Sequence, residues 1–156
     1  MSNLSDRYLF RGKRLSDGLW VKGSLVIQHD GRCFIFEPCG WLLHEVDQKT
    51  VGQYTGEIDK NGAKIFDGDI INVEFTQDGQ PWEQTTYWEM CTVYWDEDRH
   101  CWYVRFKNDV YVGDELMPLW NYNPWDIEVV GNIHDNTELM GWEQSGASGG
   151  MVEPLE

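Results

Sequence analysis

Helical periodicity is almost absent from this chain, and that absence constrains its fold more than any other feature. Short runs rich in Val, Ile, Tyr, Trp and Phe recur between clusters of Gly, Asn and Asp, the pattern of a many-stranded antiparallel protein. The expected fold class is all-β, with at most one or two short helical turns. At 156 residues and 41% hydrophobic side chains the chain can close one core of ordinary size, so one main domain is expected.

Turn chemistry places the strands. Asp17-Gly18 and Asp30-Gly31 predict hairpin turns, because both dipeptides tolerate the positive φ angles of type I′ connections. Strands follow at about residues 14–26 and 32–37, and Pro38 and Gly40 break the chain. Farther on, Asp59-Lys60-Asn61-Gly62 predicts a turn between Tyr54 and Ile65-Phe66, Asp67-Gly68 a second, and residues 70–75 a buried strand. Residues 77–84 read as a polar loop, and 85–95 with 101–106 as a hairpin around Asp96-Glu97-Asp98-Arg99. A loop over 113–124 precedes a last strand at 127–133 and one helical turn over 136–140, capped by Asp135 or Asn136. Residues 141–156 have no periodicity and read as a flexible tail, in which Leu155-Glu156 is read as a cloning scar.

Charge is lopsided. Nine basic and eight acidic residues stand up to Lys64, and three basic and nineteen acidic after it, so the halves carry +1 and -16. A net charge of -15 argues against a free-standing binder of phosphate backbone, and ranks single-stranded nucleic-acid binding low. Residues 7–14 hold four of the twelve cations, read either as a solvated strand paired with acids of the second half or as a docking patch. No apolar run approaches the roughly 20 residues of a spanning helix, and residues 1–10 lack the apolar stretch of a signal peptide. A cytoplasmic location without membrane contact is expected.

No constellation names a reaction. Cys33, Cys39, Cys91 and Cys101, with His29, His44, His100 and His134, contain no close Cys-x-x-Cys pair, so free thiols are expected rather than zinc or disulfides. His100 and Cys101 are adjacent on a strand and point to opposite faces, which defeats a nucleophilic dyad. Asp59-x-Asn61-Gly62 lacks the remaining ligands of a calcium loop, and Gly52 and Gly56 form no phosphate loop because no helix follows them. Asp67 and Asp69 read as turn carboxylates, not an acid/base pair. The expectation is no catalytic residue, no cofactor, no metal and no enzyme.

Several strings carry a resemblance. Thr50-Val51-Gly52-Gln53-Tyr54-Thr55-Gly56, Asp59-Lys60-Asn61-Gly62 and Ile65-Phe66-Asp67-Gly68-Asp69-Ile70 together resemble the YopX family. Phe10-Arg11-Gly12 with Gly18-Leu19-Trp20-Val21-Lys22-Gly23 is similar to its opening, Val93-Tyr94-Trp95-Asp96 to its middle strand, and Glu128-Val129-Val130-Gly131-Asn132-Ile133 with Asn136 and Glu138-Leu139 to its close. The resemblance spans residues 7–140. It implies a phage or prophage origin, no established activity, and a β-rich fold of an N-terminal β-meander over 7–47 and an SH3-like barrel over 48–140. Gly68-Asp69-Ile70-Ile71 suits such a barrel, since a glycine kink is how a small barrel turns a corner. Departures from the family lie in residues 76–90 and in the tryptophan-rich loop 117–125.

Two surfaces remain as candidates. Gln53, Tyr54 and Thr55 read either as a bent strand that satisfies its own polar groups or as a recognition patch on a groove. Trp120, Tyr122 and Trp125 lie in an expected loop, where exposed aromatic rings mark interfaces. The favoured reading is a non-enzymatic interaction module that binds a protein partner or itself through these loop aromatics. The alternative is an acidic DNA-mimic type decoy of a DNA-binding protein.

Overall fold

The structure, a computed structural model, describes residues 4–77, 85–107, 117–119 and 122–141. A single helical turn α1 (Leu4–Arg7) precedes β1 (Phe10–Lys13), β2 (Trp20–Ile27), β3 (Cys33–Glu37), β4 (Leu42–Val46), β5 (Gly52–Ile58), β6 (Lys64–Phe66), β7 (Asp69–Gln77), β8 (Thr85–Asp96), β9 (Cys101–Phe106), β10 (Met117–Pro118) and β11 (Ile127–Asn132). The all-β class is as the alternation of residues dictates. The expected tail beyond Gly141, and Trp120, lie outside the described residues.

Two antiparallel sheets form, in the orders β4-β3-β2-β1-β5-β6 and β10-β9-β8-β7-β11. Among the described residues these pairings close no barrel, in place of the SH3-like barrel expected over 48–140. Part of the reason is that β5 and β6 hydrogen-bond into the N-terminal sheet, through Phe10 opposite Gln53 and Tyr54 opposite Phe66. The N-terminal sheet does curl: Leu15 N–H donates to Glu45 O and Asp47 N–H to Lys13 O around a bridge between Arg14 and Val46, bringing the end of β4 back to β1.

Each sheet buries one face. Val21, Cys33, Ile35 and Val46 fill the curl of the first, with Phe10, Leu25 and Val51 packed around them. Ile71, Val73, Cys91, Val93, Val104 and Ile127 of the second, with Leu119 and with Ile65 from β6 of the first, make the larger core. Burying each large aliphatic side chain contributes about 1.5–3 kcal/mol. At Gly23 a Cβ would lie 2.0 Å from Phe36 O, so β2 and β3 approach as they do only because a glycine stands there.

Aspartate side chains build the turns. Asp17 accepts from Leu19 N–H, Asp30 from Arg32 N–H, Asp47 from Lys49 N–H, and Asp96 from Asp98 and Arg99 N–H. Gly18 and Gly31 take positive φ, but among the described residues only Trp41 and His100 do so without being glycine. The turns at Asp17 and Asp30 are therefore not the type I′ connections expected, which need positive φ at both central residues. The strand expected over 14–26 begins only at Trp20, and the helical turn Thr137–Met140 has no side-chain cap, because Asn136 Oδ1 accepts from Asn132 N–H instead.

Candidate functional site

Gln53, Tyr54 and Thr55 lie on β5, beside a groove of about 510 Å³ whose walls include Asp6, Tyr8 and Trp102. Their own chemistry is largely engaged inside the fold. Gln53 Nε2 donates to Arg7 O, and Thr55 Oγ1 donates to Ile65 O. Tyr54 is buried, with Lys64 Nζ 4.5 Å from its ring and Phe66 5.7 Å away. Burial pushes its hydroxyl above the ordinary tyrosine value, with Asp6 and Glu57 adding to the rise and Lys64 opposing it. Gly56 follows at φ 95°, where β5 slips register against β6.

The loop aromatics separate. Tyr122 is half-buried against the second core, edge-on to Phe75 at 6.0 Å, with its hydroxyl enclosed. Burial is the main cause that raises this hydroxyl. Trp125 is 74% exposed, in a short turn whose Asn123 Oδ1 accepts from its N–H. One ring of the pair therefore packs and the other stands in solvent.

A larger apolar surface lies elsewhere. Cross-strand pairs place Val26, Phe34 and Glu45 in one row and Ser24, Phe36 and Leu43 in the next, and directly opposed residues share a face. This is the face away from Leu25, Ile35 and the core. On it Val26 is 42% and Leu43 53% exposed, and Trp41, edge-on to Phe36 at 6.0 Å, is 84% exposed. Trp41 has φ 56°, a conformation that costs a bulky residue free energy. In the sequence Trp41 carries no strand signal, because Pro38 and Gly40 just before it mark only a break. The outward positions of β4 carried the missing signal, since Leu43 alternates with the inward His44.

Of the remaining candidates, the aspartates are engaged within the fold. Asp69 is buried 2.6 Å from Arg11 Nη2 and accepts the Phe66 N–H. Arg11 itself lies between the rings of Trp20 and Phe66, at 4.7 and 4.9 Å. Burial pushes the Asp69 and Asp67 carboxyls up, against the pull of Arg11. Asp59 accepts from Asn61 and Ala63 in its turn and from Val129 on β11, tying the two sheets together. Cys33 and Cys91 are buried, Cys39 is exposed, and all four thiols are free. Among the described residues no three His, Cys, Asp or Glu side chains gather as metal ligands would. No helix among them is long and apolar enough to cross a membrane.

Fold and surface together define an all-β protein of two antiparallel sheets, one of which exposes an apolar outer face. The chain belongs to the YopX family, whose model, described as YopX protein, matches residues 16–141. No curated protein matches it. Among solved structures, protein EF1440 from Enterococcus faecalis is similar at 20% identity and a TM-score of 0.45, over 84% of this chain and 96% of that one.

Proposed function

We propose that this chain is a non-enzymatic interaction module of phage or prophage origin that grips a protein surface through the outer face of β2, β3 and β4. The single observation that carries this reading is the contiguous set Val26, Phe34, Phe36, Trp41 and Leu43, apolar and partly or largely exposed. Such a patch is costly in water and is what interface cores are made of. It lies in the half of the chain that carries +1, so a partner meets no strong single-sign field there.

The decoy reading ranks second. A nucleic-acid mimic displays free carboxylates at phosphate-like intervals, whereas in the acidic half Asp69 and Asp135 are paired with Arg11 and Lys13, and Asp96 directs an oxygen to backbone N–H groups of its own turn. The test is a comparison of variants in affinity capture from the native host. A retained protein that is lost with Trp41→Ala plus Leu43→Lys, kept with Trp125→Ala and insensitive to salt supports the outer face. Retention that ignores the face variants and collapses with added salt supports the decoy instead, because solvated charges are screened within about 10 Å.

A further inference from the structure

We propose that His134 is a proton-operated latch between the two sheets: uncharged, it lets the turn after β11 close onto β1 and β2, and on gaining a proton it loosens that turn. The latch is separate from the outer face and does not depend on what binds there.

The turn over residues 132–136 clasps the first sheet to the second. Ile133 N–H donates to Gly68 O, just before β7. Asp135 pairs with Lys13 of β1 and accepts from Trp20 Nε1 of β2 at 2.7 Å. Asn132 Oδ1 accepts the N–H groups of both His134 and Asp135, which fixes where the imidazole stands. Its Nε2 faces Gly68, where a Cβ would lie 3.7 Å away. The imidazole thus packs between the backbone before β7 and the indole of Trp20, at the joint itself.

Three groups share that indole ring. The Arg11 guanidinium stands 4.7 Å and the Lys13 ammonium 5.4 Å from its centre, with the His134 ring 5.8 Å away. Arg11 and Lys13 are charged throughout the physiological range, whereas an imidazole changes charge within it. No acceptor is kept for the proton it would gain. Neither ring nitrogen has a hydrogen-bond partner among the described residues. Asp69 is paired with Arg11 and Asp135 with Lys13, Asp47 accepts the Lys49 N–H, and Arg11 is the cation that Asp67 meets. A third positive charge at this ring therefore meets two fixed ones without a free counter-ion. Burial, then Arg11 and Lys13, hold the imidazole below its ordinary value, and Asp135 and Asp47 oppose them less strongly. A closed-state value below that of the open turn makes His134 favour closure above about pH 6.5, a contribution lost as pH falls.

The experiment is amide hydrogen exchange on the purified full chain at pH 7.5 and 5.5, corrected for the intrinsic effect of pH on exchange, with thermal melts to establish folding. Below the ordinary imidazole value the ratio of open to closed turn climbs by at most tenfold per pH unit. The Ile133 amide is accordingly expected to exchange about fivefold faster or more at the lower pH, while amides across β8 keep their protection. In His134→Gln the turn should exchange alike at both pH values. Should that variant fail to fold, the imidazole of the wild type is titrated directly by NMR, where His134 is expected to gain its proton below pH 6.5. Turn protection indifferent to pH in the wild type, the same acid response in a folded His134→Gln, an equal loss of protection across β8, or a His134 that titrates at or above pH 6.5 would each overturn the latch.

Discussion

Arg11 on β1 places its Nη2 2.6 Å from Asp69 Oδ1 at the head of β7, an ion pair enclosed between the two sheets. Removing one partner leaves a buried charge uncompensated, so Arg11→Ala or Asp69→Ala is expected to cost about 3–5 kcal/mol. The double change Arg11→Met with Asp69→Leu should cost less than the sum of the two alanine variants. Urea unfolding of the four proteins measures this, and a loss below about 1 kcal/mol in either alanine variant contradicts the pairing.

Gly68 has φ 81°, and a Cβ there would lie 3.3 Å from Ile133 Cγ1. Gly68→Val should therefore destabilise the fold by about 1–3 kcal/mol. An unchanged melting midpoint would place Gly68 in ordinary extended backbone.

Tyr122 and Trp125 should respond oppositely to truncation. Tyr122→Ala removes a ring packed on Phe75 and the second core and is expected to cost about 3 kcal/mol or more. Trp125→Ala should change stability by less than about 0.5 kcal/mol. Equal losses in a paired thermal melt would mean that Trp125 is held by the fold.

Asp135 accepts hydrogen bonds from Lys13, Trp20 and Asn132. Burial tends to raise its carboxyl, but those donors outweigh burial and hold it down to about 2. A folded value below the unfolded one makes Asp135 stabilising above about pH 4, a contribution lost as pH falls toward 2. Asp67 and Asp69 act in the opposite direction, since burial raises them and acid relieves that penalty. The difference in melting temperature between wild type and Asp135→Asn should be large at neutral pH and shrink toward zero near pH 2. A difference independent of pH would remove Asp135 from the linkage.

Thiol reactivity should follow burial. Cys39 is exposed, while Cys91 is fully buried and its thiol is pushed up by burial, with Glu89 adding to the rise. A disulfide reagent should modify Cys39 first and reach Cys91 only on unfolding. Early modification of Cys91, read by mass spectrometry of peptides, contradicts the packing of the second core.

What was legible in the sequence was local. Asp59 through Gly62, Asp67-Gly68 and the hairpin of β8 and β9 each announce themselves within a few residues, because turn chemistry is set by the residues that turn. Gln53, Tyr54 and Thr55 stand out between Gly52 and Gly56, and a groove lies beside them, yet their partners Arg7 and Ile65 cannot be read from that string. β4 went unseen because His44 and Glu45 dilute its apolar character and because Trp41 stands after a break. The placement of β5 against β1, and of Arg11 against Asp69, depends on residues more than forty positions apart. Such pairings are fixed by how sheets stack, and periodicity within one segment carries no trace of them.

The turn aspartates loosen the tie between this molecule's acidity and its shape. An asparagine oxygen accepts the same backbone N–H groups, as Asn123 does for Trp125 and Asn132 does for His134 and Asp135. Asp17, Asp30, Asp47 and Asp96 are thus exchangeable for a neutral residue with their turns preserved. Those four exchanges alone would take the net charge from -15 to -11 on an unchanged backbone, so this much of the acidity is separable from the fold.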